Sequence, residues 1–209
     1  MKKIITLCLS LCLILLTFTA CGSKKVKKLT KDDINKYTSQ MKSDPLSGDI
    51  TLNGVKYSLP TKAKKLEDNG FKYNDYKDKG QPLKNGYYVQ DIHMDDGNKG
   101  EDTRIDVTLY NTSGSSVKFD DAMLGAIKIE KSGDTYKNTV VLPKSITLSS
   151  TYEDVIKAYG KPKVDYMKSA NWIIYYNTDI GEYGQQLRIY FDKNTKVIHS
   201  IELKNIPTN

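Results

Sequence analysis

Ser150-Thr151-Tyr152-Glu153-Asp154-Val155-Ile156-Lys157-Ala158-Tyr159-Gly160-Lys161-Pro162 is the stretch on which the fold turns. Thr151 stands where an N-cap hydroxyl accepts the third free amide of a helix, and Asp154 stands where a carboxylate returns that bond. Tyr152, Val155, Ile156 and Tyr159 recur at helical spacing and form one apolar stripe. Gly160 can adopt the left-handed conformation that ends a helix, and Pro162 forbids its continuation. The segment predicts a capped helix over 151–160.

Outward toward the C-terminus, strands are predicted over 172–176, 187–191 and 197–203, separated by turn-rich 177–185 and 192–196. Such short connections imply an antiparallel meander with the helix across one face. Toward the N-terminus a similar plan recurs: a strand over 50–57, Pro60-Thr61, a short helix carrying Ala63 and Leu66, Asn69-Gly70, and strands over 86–94 and 103–110. From Thr61 to Gly70 is nine positions, as from Thr151 to Gly160, and Arg104-Ile105 matches Arg188-Ile189. Chance coincidence in a chain of this composition is the competing explanation. The strand-like stretch 126–131 and the insertion between Met94 and Thr103 depart from the simplest pattern. The fold class expected is α+β, with short helices packed on antiparallel β-meander sheets as a tandem duplication of a helix-plus-three-strand unit. The first α+β unit would span 45–135 and the second 136–209. A further short helix over 31–44 is marked by Thr30 and Asp33 at capping-box spacing, Leu29 and Ile34 as a staple, and Asp44-Pro45 as its stop.

The Thr151, Val155, Gly160, Pro162 pattern, followed by a Trp/Tyr-rich strand, resembles the helix-to-sheet pattern of the SmpA/OmlA (BamE-like) lipoprotein domain. Two such units in tandem would be similar to the β-lactamase inhibitory protein architecture. The resemblance covers 140–204 well and 50–130 poorly. It implies a non-catalytic protein that scaffolds envelope assemblies or binds other proteins with an exposed sheet face.

Residues 1–20 read as a secretory signal peptide: Lys2 and Lys3, an apolar run over 4–18, and small residues ending at Ala20. The run falls short of the ~20 apolar residues that span a bilayer. Phe18-Thr19-Ala20-Cys21-Gly22 resembles the lipobox, with Phe18 where leucine is usual, and implies cleavage before a lipidated Cys21. An ordinary secretory signal or an uncleaved anchor is the competing reading. Cys8 and Cys12 lie in the leader, so Cys21 is the one thiol of the mature chain and no internal disulfide can form. Thioether lipidation removes the risk of intermolecular pairing in an oxidising compartment. The lipid anchor would hold the protein at the extracytoplasmic face of the cell membrane, each buried CH₂ contributing ~0.8 kcal/mol. Residues 21–30 form a basic tether, where Lys24, Lys25, Lys27 and Lys28 attract anionic headgroups or serve as a solvated spacer.

The chain has 209 residues, 32 basic and 25 acidic side chains, and a formal charge of +7. Lysine supplies nearly all of the excess. Arg104 and Arg188 are the only arginines, which argues against nucleic acid, where forked guanidinium donors dominate recognition. Fifteen tyrosines against four phenylalanines suit half-exposed sheets. Catalysis finds little to use. His199 shares a predicted strand face with Val197, Ile201 and Leu203 and reads as a core histidine, while His93 sits near a strand end without a motif. Ser39 to Lys42 and Ser115 to Lys118 match a serine-x-x-lysine spacing that abundant lysine makes cheap. The acidic turn over 95–102 fails the EF-hand pattern, since Gly100, Glu101 and Val107 occupy positions needing other residues. It leaves at most a weak irregular cation site. No catalytic residue, cofactor or defined metal site is expected.

The expected function is a membrane-anchored, non-catalytic protein-binding module at the cell envelope, with Trp172, Tyr175 and Tyr183 as first partner-contact candidates. The alternative is binding of an anionic wall polymer or solute through sheet-face lysines, with a hydrolase a distant third.

Overall fold

Asn53 and Gly54 have φ of 49° and 82°, the paired positive values of a two-residue type I′ turn. The segment 50–57 is therefore a hairpin of β1 (Asp49–Leu52) and β2 (Val55–Ser58) instead of the single predicted strand. The computed structural model describes residues 44–206 and Asp32, apart from 75–79, 98–101, 132–134, 170 and 179–183. The signal 1–20, Cys21, the tether 21–30, nearly all of the expected helix 31–44, and Tyr183 lie outside the described residues.

After β3 (Thr61–Lys62) comes α1 (Lys64–Asp68), whose Leu66 is fully buried, then β4 (Lys72–Tyr73) and β5 (Pro82–Leu83). β6 (Tyr87–Asp95), β7 (Ile105–Asn111), β8 (Val117–Lys118) and β9 (Met123–Glu130) follow. β10 (Val140–Leu142) and β11 (Ile146–Thr147) precede α2 (Tyr152–Tyr159), and β12 (Val164–Asp165), β13 (Ile173–Asn177), β14 (Gln185–Phe191) and β15 (Ile198–Asn205) close the chain.

The large sheet runs β12-β13-β14-β15-β9-β7-β6-β4, with β3 also on β9, and a smaller sheet runs β11-β10-β1-β2. Two up-and-down runs of the large sheet thus meet at the β9–β15 pair. The fold is β-rich, which overturns the expected α+β class built of helix-plus-three-strand units. The two α-helices among the described residues span five and eight residues. Strands from 45–135 and 136–209 share the two larger sheets, because β1 pairs with β10 and β9 with β15, while β5 and β8 pair separately. The physical reason is that period-2 burial prevails along the chain. In β14, Leu187, Ile189 and Phe191 point inward while Gln186, Arg188 and Tyr190 point outward.

One apolar core lies against the inner face of the large sheet. Ile50, Leu52 and Tyr57 of the small sheet, Leu66 of α1 and Val155 of α2 join Ile127, Ile189 and Leu203 in a single buried cluster. The capped helix forms as its residues dictate. Thr151 Oγ1 accepts the Asp154 amide at 3.2 Å, and Asp154 Oδ2 accepts the Thr151 amide at 2.9 Å. Tyr152 packs edge-on to Phe191, and Tyr159 packs edge-on to Tyr176. The Tyr176 hydroxyl donates to the Gly160 carbonyl at 2.7 Å. These contacts fasten α2 to the inner face of the sheet and leave the outer face free of it.

Candidate functional site

The outer face carries one transverse row of side chains set by register. His93 of β6 opposes Asp106 of β7, Asp106 opposes Lys128 of β9, Lys128 opposes Glu202 of β15, Glu202 opposes Arg188 of β14, and Arg188 opposes Tyr175 of β13. Signs alternate across the four central strands, an arrangement that opposite-charge cross-strand pairs favour. Glu202 Oε2 accepts from Arg188 Nη1 at 3.0 Å, and its Oε1 lies 3.2 Å from Lys204 Nζ. Lys128 Nζ sits 3.1 Å from Glu130, and Asp106 Oδ1 accepts Arg104 Nε at 2.9 Å with His93 Nδ1 at 2.6 Å. Both arginines of the chain therefore lie on this face. The Arg188 guanidinium also stacks 4.9 Å from the Tyr175 ring centre, and exposed Tyr166 meets Tyr175 edge-on at 6.2 Å.

Burial opposes the Arg188 cation, yet Glu202 and the neighbouring Tyr190 and Tyr175 hydroxyls carry its pKa above the ordinary arginine value. Lys128 behaves alike: desolvation works against it, while the hydrogen bond to Glu130 with Asp106 and Glu202 nearby raises it. Both remain cations throughout the physiological range. Tyr175 is raised chiefly by burial, with Arg188 pulling the other way.

Beside the row lies a groove of about 320 Å³, bounded by Tyr88, Thr108, Ala126, Lys128, Arg188 and Lys204 among others. Ala126 opposes Thr108 on one side and Lys204 on the other, so two small side chains leave a hollow. Gly125 sits at the register shift of β9. A Cβ there would stand 2.6 Å from Ile206 Cγ1 and 2.8 Å from Tyr110 Cδ1. Glycine lets those two side chains close over the strand, where Tyr88 and Met123 pack against them as an apolar wall. The groove thus has a charged wall and an aromatic wall.

Of the three predicted contact residues, only Tyr175 belongs to this face. Trp172 has a positive φ of 49° and packs against the main core, while Tyr183 lies outside the described residues. His199 departs from its predicted core position. A register shift between Tyr190 and Phe191 moves it out of the ladder, its side chain is 48% exposed, and Nε2 stands 3.8 Å from Glu130. Ser115 is exposed in a turn, as its surroundings suggest. In the acidic turn, Asp95 is buried and its Oδ1 accepts the Gly97 amide at 2.6 Å. Among the described residues no group of three or more His, Cys, Asp or Glu side chains could hold a metal ion. No described helix is long and apolar enough to cross a membrane.

Sequence reading missed Asp106, Lys128, Glu202 and Lys204 as a set. Outward alternation in each strand was the available signal, but only register joins residues almost a hundred positions apart. Comparison with family models, curated proteins and solved structures returned no match.

Proposed function

We propose that the chain is an extracytoplasmic lipoprotein, held at the cell membrane by lipid on Cys21, that works as a non-catalytic protein-binding module. Its recognition surface in this reading is the outer face of the large sheet, centred on the row from Asp106 to Tyr175. The carrying observation is that row: charges of both signs, already paired, flanked by Tyr88, Tyr175 and Tyr190 beside a shallow groove. Aromatic and arginine side chains supply most binding energy at protein interfaces, and patterned charge supplies specificity. A poly-anion such as a wall polymer would be served better by unpaired cations, whereas Lys128 and Lys204 each face a carboxylate.

Affinity capture from crosslinked cells, comparing wild type with Arg188→Glu, tests the surface. A protein recovered with wild type and lost with the variant supports the reading, and equal recovery with both removes it. Cys21→Ser tests the address separately: the variant is expected in the medium or unprocessed, and wild-type membrane fractionation would overturn lipidation.

A further inference from the structure

The central row has a property that pairing within one chain does not require. Across β6, β7, β9, β15, β14 and β13 it reads His93, Asp106, Lys128, Glu202, Arg188, Tyr175. A two-fold axis lying in the face, along the strands and between β9 and β15, reverses this order on a second copy. Each Lys128 then meets Glu202 of the other copy, each Asp106 meets Arg188, and each His93 meets Tyr175. Every central contact joins opposite signs. A two-fold axis parallel to the row would instead place Asp106 on Asp106 and Lys128 on Lys128.

The neighbouring row agrees. Ala126 and Lys204 are register partners on β9 and β15, so the same axis sets Lys204 of the second copy over Ala126. That is the hollow of about 320 Å³, and a lysine stem whose ammonium is held by its own Glu202 at 3.2 Å is a suitable filler.

We infer that the outer sheet face is self-complementary, and that a second copy of this chain is its occupant in a face-to-face homodimer. The inference deepens the recognition-surface reading and rests on it; a further protein would have to compete with the second copy. Six strands at ~4.8 Å spacing span ~24 Å. Because two twisted sheets align at about −30°, the centre of the row touches while its ends lift away. An interface of that extent falls near the lower size limit for specific association, so weak association seen only at high concentration is expected. The charges select the orientation more than they supply affinity.

Analytical ultracentrifugation of the purified chain without its leader should show concentration-dependent dimerisation that weakens as salt rises. Lys128→Glu and Glu202→Lys should each sediment as monomer. Mixed together they should restore the dimer, because two carboxylates at the centre of one chain then face two ammoniums on the other. Circular dichroism melting checks that both variants fold. A second measurement needs no variant: zero-length carbodiimide crosslinking of an equal mixture of unlabelled and ¹⁵N-labelled wild type should yield mixed-isotope Lys128–Glu202 peptides. A wild type that stays monomeric at roughly a millimolar, where even weak specific association is populated, overturns the inference. So does a dimer whose mixed-isotope links avoid this face. Capture of a different protein by a strictly monomeric chain would overturn self-association while leaving the recognition surface standing.

Discussion

Replacing Glu202 with Gln keeps the shape of the side chain and removes the one negative charge between Arg188, Lys204 and the register partner Lys128. Its carboxylate holds Arg188 Nη1 at 3.0 Å and lies 3.2 Å from Lys204 Nζ, with 16% of the Glu202 side chain and 29% of Arg188 exposed. Fully exposed ion pairs contribute ~0–1 kcal/mol, whereas hydrogen bonds to charged groups sheltered from water contribute ~1.5–3 kcal/mol. Glu202 lies between these cases and serves two cations, so the loss should be about 2 kcal/mol. At ~2–4 °C per kcal/mol for a domain of this size, the melting midpoint should fall by roughly 6 °C. Part of that loss is repulsion newly exposed among the three cations, and it should shrink in high salt. A double-mutant cycle with Arg188→Met, read by urea unfolding, isolates the pair; a coupling of at least ~1 kcal/mol is expected. Strictly additive singles, with coupling below ~0.3 kcal/mol, would refute the argument that the row acts as a connected unit.

Val155 of α2 is fully buried; Val155→Ala removes two methyl groups, ~1.6 kcal/mol of transfer energy plus a cavity cost. A loss near 2.5 kcal/mol with unchanged denaturant slope is expected in urea titration. Gly48 has φ of +76°, and a Cβ there would stand 2.3 Å from Asn205 Nδ2 and 2.5 Å from the Leu59 carbonyl. Gly48→Ala should therefore cost ~3 kcal/mol or prevent folding, as monitored by circular dichroism. The Asp154 carboxyl is held below its ordinary 3.8 by the Thr151 amide and hydroxyl, and Asp192 by the Thr195 amide and hydroxyl and the Asn194 amide. Both folded pKa values are depressed, so their stabilisation is present above 3.8 and is lost as pH falls through the folded values. Asp154→Asn should flatten that acid limb in thermal melts taken between about pH 4 and 2. The Tyr152 hydroxyl is pushed up to about 12, first by its hydrogen bond to Asp165. That contribution holds below 10.0 and fades as pH rises through 12. Ultraviolet titration of Tyr152→Phe should lose one late-ionising phenol.

Residues 150–162 by themselves determined a helix, its cap and its stop, because those interactions join residues three to ten positions apart. Alternation likewise announced β6, β7, β14 and β15 to within a few residues, since an inward-outward rhythm is local. The Asn53-Gly54 dipeptide is a local hairpin signal; it splits 50–57 into two strands that keep Ile50, Leu52, Val55 and Tyr57 on one face, as their register pairs show. β10 and β11 were hidden because strands of three and two residues show too few alternations to count. Class therefore turned on tertiary structure: short strands that read as loop in isolation become a second sheet once β10 finds β1. The row from His93 to Tyr175 belongs wholly to that level. Each member is an ordinary outward residue of its strand, and a slip of one position in any pairing would turn its neighbours inward. Register, set by bulges in β6, β9 and β15 and by the buried isoleucines and leucines on the opposite face, brings the six side chains into line.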